Sequence, residues 1–153
     1  MRIDHLYSIA LCVACTLSVA SCKTTEESAE EEASLMLGEA RELLAGGEFN
    51  AARDTIRSMR KQYPTAFQTR RAAILTLDSV ELMQTRDSLT RYELSLQEAR
   101  EGFRKMQPRT NGQTNDLYYQ QQRMVFEMEQ HFDELCAKAK FYVRKIDLDQ
   151  LGL

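Results

Sequence analysis

The sequence holds no tryptophan, two prolines, two histidines and four cysteines in 153 residues. Each scarcity closes a class of structure or function. With only Pro64 and Pro108 to interrupt the backbone, long stretches are free to run as unbroken helix. Cys12, Cys15 and Cys22 lie in the first 22 residues, so Cys136 is the only thiol in the body of the chain and no disulfide can staple it. Neither charge sign dominates: 20 Lys and Arg stand against 23 Asp and Glu, which gives no electrostatic reason to expect nucleic acid. No apolar run reaches the roughly 20 residues of a membrane span, and no phosphate loop or dinucleotide fingerprint is present.

Catalytic and metal chemistry also lack material. A serine or cysteine nucleophile requires a base held by a third group. The only histidine beyond the first 22 residues, His131, sits beside apolar Phe132 and near Leu135, with no strand-to-helix elbow to expose a nucleophile. On a helix, His131 would share a side with Glu127 and Glu134. However, bundle di-metal sites carry Glu three residues before the His, and that position is Met128. An exposed helix face with ordinary i,i+4 pairing accounts for these residues. The sequence therefore points away from an enzyme and calls for no metal.

What is present begins with a leader. Arg2 and the α-amino group supply a basic start, partly offset by Asp4; Leu6–Val19 is apolar, and Ala20-Ser21 is a small-residue ending. Residues 1–21 thus read as a secretory signal peptide, the apolar run being too short for an uncleaved span. Cys12-x-x-Cys15 lies inside that leader and would be discarded with it. The ending Val19-Ala20-Ser21-Cys22 resembles a bacterial lipobox. That resemblance implies cleavage before Cys22 and a diacylglyceryl group on its sulfur, a covalent lipid that serves as membrane anchor; no dissociable cofactor is expected. Two or more acyl chains hold a domain stably at a bilayer without any spanning helix.

Residues 22–32 are acidic and poor in apolar side chains, and read as a tether that shades into a helix start. Acidic residues soon after the lipidated cysteine are similar to those of Bacteroidota-type lipoproteins exported to the cell surface. The location implied is the cell envelope at the outer membrane, on its periplasmic or its surface face.

The remaining chain, residues 33–153, reads as one all-α domain. Leu35, Met36, Ala40, Leu43 and Leu44 fall at helical spacing and stop at Gly46-Gly47; Phe49, Ala52, Ile56 and Met59 make a second apolar face that Pro64 closes. Ala33–Tyr63 is therefore expected to form a short αα-hairpin. The spacing Gly47, Phe49, Ala52, Ile56, Met59, Pro64 resembles a tetratricopeptide repeat. Ala40-x-x-Leu43-Leu44-x-x-Gly47-x-Phe49-x-x-Ala52, with Tyr63-Pro64 after it, is similar to the opening repeat of tetratricopeptide lipoproteins of the outer-membrane assembly machinery. No second copy follows near the expected period of about 34 residues, so the hairpin must pack on something else.

Two heptad stripes supply it. Leu75, Leu82, Leu89, Leu96 and Phe103 recur every seven residues, with Tyr92, Ala99 and Met106 as companions; Tyr118, Val125, Phe132, Ala139 and Ile146 do the same, with Met128, Leu135 and Tyr142. Between them Gln107–Asn115 is rich in turn formers and has no apolar residue. Thr65–Met106 and Asp116–Leu148 are thus expected to fold back as an antiparallel coiled-coil hairpin across 65–148, with Phe141-Tyr142-Val143 open to a short extended segment. A second strip, Ile74, Leu77, Val80 and Met83, gives the first long helix another face, on which the short hairpin can dock. Asp78 and Thr85 fall on seam positions, which suggests four-helix contact at that end.

The candidate sites are surfaces. Tyr119, Phe126 and Phe141 lie off the second helix's stripe, so the two-helix seam does not account for them, and either the short hairpin or a partner must cover them. Arg53, Arg57 and Arg60, with Lys61, Arg70 and Arg71, form a basic stripe suited to acidic partners or lipid headgroups, or to intramolecular pairing with Glu39 and Glu42. Most of the six internal methionines fall on buried stripes. The expectation is a lipid-anchored envelope protein that acts without catalysis as an interaction or scaffold module for an unidentified envelope protein, or for a second copy of itself through its coiled-coil faces. The competing reading is a lipid or small-ligand carrier, which requires an enclosed apolar pocket; a hydrolase is disfavoured by the missing triad.

Overall fold

The computed structural model describes residues 25–106 and 116–152; the lipobox, Cys22 and the segment 107–115 lie outside the described residues. The described chain is all-α, with four helices: α1 (Thr25–Ala45), α2 (Phe49–Gln62), α3 (Phe67–Lys105) and α4 (Asp116–Leu151).

Local chemistry sets each boundary. Gly47 ends α1 with φ +78°, a left-handed conformation that glycine adopts without a Cβ penalty. The Gly47 N–H donates to Leu44 O at 3.0 Å and the Glu48 N–H to Leu43 O at 2.9 Å, the paired bonds of a Schellman stop. Leu43 and Phe49, on either side of the turn, pack together against Leu44, Ala52 and Val80. At the other end of α2, Tyr63 N–H closes on Met59 O at 2.9 Å, and Pro64, which cannot continue the helix, follows.

The start of α1 differs from expectation. Thr25–Glu32 is helix rather than tether, and two of its carboxylates hold neighbouring elements. The N-cap residue of α3, Ala66, has no side chain able to cap. Glu30 does the capping from α1, its Oε1 accepting the Thr69 N–H at 2.5 Å. Glu32 accepts a hydrogen bond from the Tyr63 phenol, which together with burial pushes that phenol above its ordinary value.

Ala33, Leu37, Ala40, Ile56, Met59, Ala66 and Ala73 form the core where α1, α2 and the start of α3 meet. Four of the seven are alanines, which let the helix backbones approach closely. Leu35, expected inside, is exposed instead, because the buried stripe of α1 runs through Ala33, Leu37, Ala40 and Leu44. Likewise Ile74 and Met83 are exposed, and the hairpin sits on Thr69, Ala73, Thr76 and Val80 of α3. Arg41 Nε reaches Thr76 Oγ1 at 3.4 Å across this contact.

On its opposite face α3 meets α4 along the two heptad stripes, whose sixteen residues are all buried or half-buried. Pairing runs antiparallel: Phe103 lies against Tyr118 with ring centroids 5.0 Å apart, Arg100 bonds Glu129 at 2.8 Å, Tyr92 meets His131, and Lys145 reaches Asp78. Phe141–Val143 is helical. Among the described residues α4 packs on α3 alone. The expected four-helix contact therefore gives way to three layers, with α3 in the middle. Asp78 and Thr85 are buried in the seam as its polar members: Asp78 takes Lys145 as partner, and the Thr85 hydroxyl donates to Glu81 O at 2.7 Å.

Candidate interaction surface

Tyr119, Phe126 and Phe141 are all carried by α4. At about 100° per residue they fall within a sector some 60° wide, on the side of α4 turned away from α3. They are 60%, 57% and 60% exposed. The hairpin cannot cover them, because it sits on the far side of α3. Two of the rings are nonetheless fixed by the seam. Tyr119 meets Tyr118 edge-on at 5.7 Å, and Tyr118 in turn packs on Phe103; Phe141 meets Tyr142 edge-on at 5.2 Å. Each of these exposed rings thus leans on a half-buried neighbour, which limits the side-chain freedom that binding would cost.

The basic stripe divides. Arg53 is turned inward and binds Glu81 through Nε at 3.0 Å and Nη2 at 2.6 Å, with a further bond to Gln84. Its partner is therefore on α3, whereas Glu39 and Glu42 are exposed. Arg57 is exposed and pairs with Asp54 at 3.4 Å; Arg60 is half-buried. Of the three arginines, Arg53 belongs to the fold.

Glu81 links all three layers. Its Oε1 accepts from Arg53 on α2 and its Oε2 from Lys138 on α4 at 3.2 Å. Burial pushes the Glu81 carboxyl up, but the hydrogen bonds and positive charges of Arg53 and Lys138 outweigh it and hold the group below the usual carboxylate range. In the same way, the hydrogen bond to Asp78 pushes the Lys145 ammonium above its ordinary value against the opposing effect of burial, with Asp149 adding to the rise.

His131 packs edge-on against Tyr92 with centroids 4.9 Å apart, and its Nδ1 lies 3.4 Å from Glu134. Among the described residues no three His, Cys, Asp or Glu side chains converge to hold a metal ion. A cleft of about 490 Å³ opens where the start of α3 meets the end of α4, lined by Gln68, Arg71, Ile74 and Leu75 and by Asp149 and Gly152. It is open to solvent, and part of its wall is charged.

Sequence patterns did not mark Glu30 or Glu81. The partners of the two glutamates lie far away in the chain, and no local period points to them. No family model, curated protein or solved structure matches the chain.

Proposed function

We infer that the protein is a lipid-anchored envelope module that binds another protein through the outer face of α4. The observation that carries this reading is the exposure of Tyr119, Phe126 and Phe141 on one helix face that the other described residues leave uncovered. Aromatic side chains supply large contact area at low conformational cost and are enriched at protein interfaces. The anchor half of the reading is supported by the lipobox-like Val19-Ala20-Ser21-Cys22. No described helix is long and apolar enough to cross a membrane, so a covalent lipid is the means of attachment this reading requires. On the same reading the location is the outer membrane.

Among the described residues the carrier alternative can draw on the cleft of about 490 Å³ and on one of about 580 Å³ between α1 and the start of α3, but both are open grooves with charged side chains in their walls, and neither encloses an acyl chain.

Both halves are testable in the protein's own cells. Mass spectrometry of the native N-terminal peptide is expected to find Cys22 as the first residue and lipid-modified; an intact leader or an unmodified Cys22 contradicts the anchor. Crosslinking followed by purification is expected to recover a defined protein with the wild type and to lose it with Phe126→Asp. Recovery of the chain alone with tightly bound lipid would favour the carrier.

A further inference from the structure

The helical start at Thr25 fixes more than a boundary. Only Lys23 and Thr24 separate it from Cys22, so a lipid on that sulfur holds the first turn of α1 within about 11 Å of the bilayer even with the chain fully extended. Whatever else lies at this end of the molecule is then brought to the membrane with it.

The start of α3 and the end of α4 both lie there. Glu30 caps α3 through Thr69, Glu26 and Glu27 share a groove with Phe67, and Gln68 shares the adjoining cleft with Asp149 and Gly152. At this same end Phe67 and Leu151 are each 72% exposed. Neither serves the core. Resting on the anchor reading above, we propose that Phe67 and Leu151 dip into the headgroup layer of the membrane that carries the lipid, so that the α3–α4 pair stands away from the surface.

Charge does not drive this contact. Arg70 and Arg71 beside Phe67 are outnumbered by Glu26, Glu27, Glu30 and Asp149 at the same end, so the surface gains nothing from anionic lipid and suits a zwitterionic bilayer. Two apolar side chains would not hold a free protein to a membrane. Once the anchor makes the second contact intramolecular, its effective concentration is high and a weak contact is enough to set orientation.

The test uses the mature lipidated protein with Cys136→Ser and a nitroxide at one of three sites, Phe67→Cys, Leu151→Cys or Gly102→Cys, reconstituted in phosphatidylcholine vesicles. Gly102 is on α3 near its far end, and a Cβ there meets nothing within 4 Å. Collisions with dissolved oxygen and with a water-soluble nickel chelate report depth. Labels at 67 and 151 are expected to gain oxygen collisions and lose nickel collisions relative to the label at 102. With Cys22 shown by mass to be lipidated, water-like collisions at both 67 and 151 overturn the orientation alone. An unmodified Cys22 overturns the anchor and the orientation together.

Discussion

Glu81 is one carboxylate serving three helices, and its worth can be read by changing its charge alone. Glu81→Gln keeps an acceptor for Arg53 but leaves two cations without their counter-charge, and is expected to cost about 2 kcal/mol in denaturant unfolding. The pH dependence follows from the lowered folded value. Such a carboxylate adds stability above its unfolded value, and that stability is lost as pH falls through the folded one. Wild-type stability should thus drop as pH falls below the ordinary value of 4.5, and Glu81→Gln should drop less over the same range. An equal acid slope in both proteins would refute the role given to Glu81.

Asp78 and Lys145 make a second test at this scale. Lys145→Met strands a buried carboxylate and is expected to cost about 2 kcal/mol, less than a fully buried pair because the lysine is partly exposed. Asp78→Leu combined with Lys145→Met is expected to recover most of that loss. A double variant no better than the single would mean that the pair does more than neutralise Asp78.

At the scale of the element, the cap on α3 is borrowed from α1. Glu30→Ala removes the acceptor for the Thr69 N–H and is expected to cost about 1 kcal/mol, whereas Glu30→Gln, which keeps an oxygen in place, should cost less. Equal losses would show that only the charge matters. This contact also explains why α1 was shorter in the sequence than in the fold. Thr25–Glu32 offers almost no apolar side chains to a periodicity argument, yet carboxylates in a first turn suit the helix dipole, and the groups that Glu30 and Glu32 bind are more than 30 residues away.

Other elements were legible for equally physical reasons. The α3–α4 seam is long, and its main positions keep an apolar period of seven from Leu75 to Phe103 and from Tyr118 to Ile146, so both stripes were readable although Asp78 and Thr85 stand at companion positions. Gly46-Gly47 and Pro64 stop helices by backbone geometry, whatever surrounds them. The hairpin's footing on α3 was readable in part: Leu77 and Val80 of the second strip pack on the hairpin, but close packing there favours Thr69, Ala73 and Thr76 over the larger Ile74 and Met83, and small residues leave no hydrophobic signal. For the candidate site the sequence placed Tyr119, Phe126 and Phe141 off the seam, and the structure leaves them exposed. It could not place Arg53, whose partner is 28 residues away.

For the whole molecule, α3 is the spine: about 58 Å long by its 39 residues, covered on two faces near its start and on one face beyond Gln84. Stability should follow that cover. In hydrogen exchange the amides of Ala52–Met59 and Ala73–Val80 are expected to be the slowest, and those of α3 beyond Ser88 and of the first half of α4 faster, since only two helices support each other there. Uniform protection along α3 would contradict the layered arrangement.

The surface proposed for binding is the outer face of α4. Site-specific photocrosslinkers placed in living cells at Tyr119, Phe126 and Phe141, and at Glu98 on exposed α3 as a control, test it most directly. The same crosslinked protein is expected from the three α4 positions and none from Glu98. Crosslinks spread equally over all four positions, or absent from α4, would contradict a binding role for this face.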